Sequence, residues 1–155
     1  MPKLVIIGYD GSPDAERAID FAAARLDAGA ARVVTVWESG LAAAQAAPPL
    51  GAPVPPSPDE DRRLEAAARE IADAGAGRAR AAGLRAEAET KLRIGVGETA
   101  QALLDVADQH DADLVVVGRR GMGRIRSAVL GSVSDAAVRD GRRPVLVVQG
   151  QEEER

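Results

Sequence analysis

The chain has 155 residues, 20 basic and 24 acidic, for a net charge of −4, which suits one domain with its own core and argues against a general nucleic-acid binder. No cysteine and one histidine, His110, exclude disulfides, thiolate metal centres, cysteine nucleophiles and a multi-histidine metal site within the chain. No apolar run reaches the roughly 18 residues of a membrane span, and the opening run is too short for a signal peptide, so the expectation is a soluble, cytoplasmic protein.

Strand-length apolar runs alternate with helix-length segments along the chain. Leu4-Val5-Ile6-Ile7 has no polar alternation, as in a strand buried on both faces. Asp10-Gly11-Ser12-Pro13 follows, with Ser12 suited to cap a helix and Pro13 to begin it. The helix is predicted over 13–27, with Ala18, Phe21, Ala22, Arg25 and Leu26 at helical spacing and Gly29 as its C-terminal cap. Val33-Val34-Thr35-Val36-Trp37 reads as a second buried strand.

Residues 41–58 are rich in Ala and Pro and read as a flexible loop inside a domain spanning 1–150. The loop either covers a site or is slack. A second helix is predicted over 59–82, interrupted by Gly75 and Gly77 and ended by Gly83, with the acids Asp59-Glu60-Asp61 in its first turn. Residues 85–93 mix apolar with charged positions, which predicts a half-exposed strand near a sheet edge. A third helix is expected over 98–110, with His110 as a cap at its C-terminus rather than a catalyst. Leu114-Val115-Val116-Val117 makes a fourth strand, 132–140 a short helix, and Pro144-Val145-Leu146-Val147-Val148 a fifth strand. Residues 151–155 form a polar tail. The alternation predicts an α/β fold, an open five-stranded parallel sheet with helices on both faces. Ligands of such sheets bind at the C-terminal ends of the strands, here 9–12, 36–38 and 118–132.

The last of these segments carries the chemistry. Residues 118–132 hold Arg119, Arg120, Arg124 and Arg126 and no acid or histidine, a local charge of +4 in a chain of −4. Glycines at 118, 121, 123 and 131 let backbone approach a ligand. Gly131-Ser132 stands where the helix over 132–140 begins, so free N–H groups and the helix dipole favour an anion there. The alternative is a plain turn with a solvated basic face.

Gly118-x-x-Gly121, nine residues, then Gly131-Ser132 resembles the G-2X-G-9X-G-(S/T) pattern of ATP-binding universal stress proteins. Ile6-Ile7-Gly8-Tyr9-Asp10-Gly11-Ser12 and Arg143-Pro144-Val145-Leu146-Val147-Val148 are similar to the same family, in the same order. The resemblance implies strand order 3-2-1-4-5, a homodimer through the last strand, and ATP, with Mg or Mn, as ligand. It implies that Asp10 holds the ribose and that Val36 meets adenine through its backbone. It places Gly118 beside the ribose and Gly121, Gly131, Ser132 and Val133 at the phosphates; Arg120 joins these as a nucleotide-binding residue. Asp10 would touch a metal only through a nucleotide-bound ion. Arg119 departs from the family, where Ser or Thr commonly follows the first glycine.

The expected function is a nucleotide-binding regulatory module of the stress response. The alternatives are an interaction module of the same fold that binds no nucleotide, and a slow ATPase or autophosphorylating enzyme using Ser127, Ser132 or Ser134. No catalytic residue is assigned, because the loop supplies no general base. Gly95-Val96-Gly97-Glu98-Thr99-Ala100 fits a dinucleotide fingerprint but lacks the ribose acid and is not the first βα turn. No P-loop is present.

Overall fold

The computed structural model describes residues 2–40, 57–93, 99–119 and 142–149. Five strands, β1 (Leu4–Gly8), β2 (Ala30–Glu38), β3 (Ala86–Arg93), β4 (Leu114–Gly118) and β5 (Val145–Val148), alternate with helices α1 (Pro13–Arg25), α2 (Pro58–Ala81) and α3 (Thr99–Gln109). The strands form one sheet in the order β3-β2-β1-β4-β5, with every pairing parallel. This is the order that the family resemblance implies. The expected helix over 132–140, residues 41–56 of the loop, the Gly95–Gly97 motif and the tail lie outside the described residues.

The central strands are apolar without alternation because both of their faces are covered. On one face Val5, Ile7 and Tyr9 pack with Ala18, Ile19 and Ala22 of α1 and Ala76 and Ala79 of α2. On the other, Ile6, Val34, Val115 and Val117 pack with Leu103, Leu104 and Val106 of α3. Each fully buried Val, Leu or Ile contributes about 1.5–3 kcal/mol. The small alanines let α1 and α2 lie close to the sheet.

Four local expectations need correction. Helix α1 stops at Arg25 and its cap, Leu26, is extended, so Gly29 is no left-handed cap. Gly29 instead lies where a Cβ would stand 2.8 Å from the Lys3 carbonyl oxygen. Phe21 is exposed, and Ile19 takes the buried position beside Ala18 and Ala22. Helix α2 runs unbroken through Gly75 and Gly77. Gly75 is the close-approach point, because a Cβ there would come within 2.6 Å of the Tyr9 ring. The His110 ring pairs with Glu89 of β3 at 2.9 Å, and Glu89 also receives Arg32 at 3.1 Å. That contact joins α3 to the sheet across chain positions that no local pattern connects.

Strand β3 is an edge, as its mixed sequence suggests. Ala31 N–H donates to the Arg85 carbonyl at 2.7 Å, so odd-numbered residues of β3 turn their backbone toward β2 and even-numbered ones turn outward. Two of the outward carbonyls are covered from α2: Arg80 donates to Ala86 O at 2.8 Å and Arg69 to Ala88 O at 3.2 Å. Charged side chains laid along an edge discourage the addition of another strand.

Candidate functional site

Strand β1 lies between β2 and β4. The chain leaving β1 crosses to one side, through α1 to β2, and the chain leaving β4 continues to the other, to β5. A crevice of this kind, at the carboxyl ends of the strands, is where open α/β sheets take ligands. Three sequence-predicted residues meet there: Asp10 just after β1, Val36 near the end of β2 and Gly118 at the end of β4. Arg120, Gly121, Gly131, Ser132 and Val133 lie outside the described residues.

The Asp10 turn follows from its sequence. Gly11 adopts φ +80, which glycine takes without steric cost. One Asp10 carboxylate oxygen accepts the Ser12 N–H at 2.9 Å. Ser12 Oγ in turn accepts the Ala15 N–H at 3.2 Å and caps α1, with Pro13 in the first turn. Asp10 is therefore held half-buried at a helix start, and its second oxygen takes no hydrogen bond from the described residues.

Val36 has an uncommon backbone environment. Ala30 N–H donates to Lys3 O, and Tyr9 N–H donates to Val34 O, both at 2.9 Å. Even-numbered residues of β2 thus turn their backbone groups toward β1, and the register with β3 runs unbroken from Ala31 to Glu38. Val36 faces the β1 side, but the β1 ladder ends at Gly8 opposite Val34. The next acceptor, the Tyr9 carbonyl, is taken by the Thr35 hydroxyl at 2.8 Å. The N–H and C=O of Val36 find no partner among the described residues. An unpaired backbone group is left to water or to a ligand. An unpaired donor and acceptor, side by side on half-buried Val36, can receive a flat ligand edge that carries the complementary pair.

Gly118 is required by packing. A Cβ there would stand 2.6 Å from the carbonyl carbon and oxygen of Asp14 and 2.9 Å from the Ala15 nitrogen. The end of β4 lies directly against the first turn of α1, and only a residue without a side chain fits. Beyond it, Arg119 N–H donates to Val148 O at 3.0 Å and continues the pairing with β5.

Below the crevice, the Tyr9 ring is buried against Gly75 and Val33. Burial pushes its phenol above the ordinary tyrosine range, and the nearby Glu16 carboxylate adds to the effect. Arg78 of α2 pairs with Asp20 of α1 at 2.7 Å and Glu16 at 3.5 Å, which ties the two helices together over this ring.

Sequence reasoning missed one part of the rim. The buried Ser39 hydroxyl and the Gly40 N–H, just beyond β2, both meet the carboxylate of Asp61 in the first turn of α2, the latter at 2.9 Å. Asp61 reads in the sequence as one of three acids in the first turn of a helix, and nothing local marks it as the one that reaches across 21 residues. No group of three or more His, Asp or Glu able to hold a metal ion occurs among the described residues.

The model of the universal stress protein family matches residues 1–149. The Thermus aquaticus protein named universal stress protein in QAH/OAS sulfhydrylase 3′ region is 34% identical over 149 residues, spanning 96% of this chain and 100% of that protein. Among solved structures, a universal stress protein in complex with cAMP is 30% identical, covers 95% of this chain and 97% of its own, and has a TM-score of 0.63. The Archaeoglobus fulgidus universal stress protein in complex with dAMP covers 95% of this chain and 97% of its own with a TM-score of 0.55; at 23% identity the likeness is one of fold.

Proposed function

Because this chain belongs to the universal stress protein family, we propose that it binds an adenine nucleotide in the crevice between β1, β2 and β4 and acts as a regulatory module of the stress response. The observation that carries this reading is the unpaired N–H and C=O of Val36. Adenine offers an acceptor at N1 beside an amino donor at N6, which complements that pair. The cAMP complex of the 30% identical relative supports the same ligand class.

In this reading the second oxygen of Asp10 receives the ribose hydroxyls, and Gly118 lets the sugar lie close to the backbone. Arg120, Gly121, Gly131, Ser132 and Val133 hold the phosphates through main-chain N–H groups, a hydroxyl and a guanidinium. ATP is the nucleotide that this glycine-rich loop favours, with Mg or Mn carried on its phosphates and Asp10 beside it. Binding changes the surface that the protein shows to partners. Self-association runs through β5, the second sheet edge, whose Val145-Leu146-Val147-Val148 is wholly apolar. The protein works in the cytoplasm; no helix among the described residues is long and apolar enough to cross a membrane.

Titration with ATP and ITP tests the base assignment. Hypoxanthine reverses the adenine pattern, with an N1–H donor beside an O6 acceptor, and would face Val36 donor to donor and acceptor to acceptor. Each of the two mispaired groups costs about 1–3 kcal/mol, so ATP is expected to bind at least about 30-fold more tightly than ITP. Trp37, adjoining Val36, reports binding by fluorescence. Equal affinity for the two would remove Val36 from base recognition.

A further inference from the structure

We infer that Asp61 is a positioning residue for adenine recognition, an inference that rests on the nucleotide reading above. Beyond Val34 the β1 ladder has stopped, so the last four residues of β2 have ladder pairing only on the β3 side, with the Thr35 hydroxyl on Tyr9 O as the remaining tie to β1. Glu38 pairs with Arg93 on that side. On the outgoing side the chain is held by Asp61, which uses both carboxylate oxygens, one on the Ser39 hydroxyl and one on the Gly40 N–H. Hydrogen bonds to an ionised carboxylate are about twice as strong as neutral ones. Ser39 is 7% exposed, so little water competes for it.

Asp61 is itself well anchored. It lies in the first turn of α2, where the helix dipole favours a carboxylate and Ser57 caps the helix. Helix α2 is fixed to the sheet by the Gly75–Tyr9 approach and to α1 by Arg78. The clamp therefore transmits the position of the helix to the strand end. Val36 lies three residues before Ser39, and its pairing groups point the right way only while the extended alternation of β2 is kept. Fraying of the end pairs with β3, from Glu38 back to Val36, would turn them away. Such fraying would start at Ser39-Gly40 if the carboxylate let go.

Binding of ATP, ITP and inorganic tripolyphosphate to the wild type, Asp61→Ala and Asp61→Asn is the test. Asp61→Ala is expected to weaken ATP about tenfold while ITP and tripolyphosphate stay within about twofold, because only adenine uses the Val36 pair. Asp61→Asn keeps an acceptor for Gly40 and a donor for Ser39 and is expected to recover most of the ATP affinity. Equal loss for all three ligands would make Asp61 merely structural, and an unchanged ATP affinity in folded Asp61→Ala would end the proposal. A folded wild type that binds none of the three would instead defeat the nucleotide reading. Amide exchange in the ligand-free protein judges the clamp by itself. Exchange at 36–40 is expected to be faster in Asp61→Ala, and unchanged exchange would overturn the inference whatever the ligands do.

Discussion

Valine at position 118 is expected to destabilise the fold by about 3–5 kcal/mol and to abolish ligand binding at the crevice. The Cβ alone would stand 2.6 Å from two backbone atoms of Asp14 and 2.9 Å from a third atom, the nitrogen of Ala15. Those atoms belong to the first turn of α1 and cannot rotate away as a side chain can. Relief requires moving α1, which holds Ala15, Ala18, Ile19 and Ala22 in the core. It also requires disturbing the Asp10–Ser12 turn that caps the helix. Overpacking ordinarily costs about 1–3 kcal/mol, and a backbone obstacle places this case at or above the upper end. Against a total stability of about 5–15 kcal/mol, the loss is plain in urea denaturation. A Gly118→Val protein with wild-type denaturation would show that β4 and α1 are not in this close contact.

The second large effect is expected from a pair of glycines two residues apart on α2. Alanine is favoured over glycine inside a helix by about 1 kcal/mol. At Gly77 nothing stands within 4 Å of an added Cβ, so Gly77→Ala is expected to stabilise by about 0.5–1 kcal/mol. At Gly75 the Cβ would meet Tyr9 Cδ1 at 2.6 Å, Val33 Cγ1 at 2.8 Å and Tyr9 Cε1 at 2.9 Å. Tyr9 is 5% exposed, so its ring is packed into the core rather than lying free at the surface. Overpacking of about 1–3 kcal/mol outweighs the propensity gain, so Gly75→Ala is expected to destabilise, and Gly75→Leu to do so by several kcal/mol more. Thermal melting of the two alanine variants should therefore shift in opposite directions. Shifts of the same sign would place Tyr9 elsewhere.

These two glycines also show what a sequence can and cannot disclose. The strands were legible because burial on both faces writes itself as unbroken Val and Ile. Helix α1 was legible because Ser12-Pro13 is a start signal that acts locally. Strand order came from resemblance, since periodicity identifies elements but not their neighbours. The edge position of β3 could be read from its charges. Gly75 appeared to interrupt a helix because the partner that requires it, Tyr9, is 66 positions away in the chain. Phe21 fits the helical period, yet the buried stripe of α1 runs through Ala15, Ala18, Ile19 and Ala22 and leaves Phe21 exposed at its margin. Asp61 and the Glu89–His110 contact depend on pairings between distant elements, which no spacing rule encodes. At the site, Asp10 and Gly118 were visible as motif residues. The motif gives no hint that Gly118 is also demanded by the backbone of α1.

In the function proposed above, the crevice holds an adenine nucleotide through the end of β2, the Asp10 turn and the glycine-rich loop. Its most direct test is an ATP titration of nucleotide-stripped protein, followed by Trp37 fluorescence and repeated on the Gly121→Val/Gly131→Val double variant. Saturable binding in the micromolar range, about −8 kcal/mol, is expected, with its loss in a double variant that melts like the wild type. A folded wild type with a flat titration, or a double variant that binds ATP as the wild type does, would contradict it.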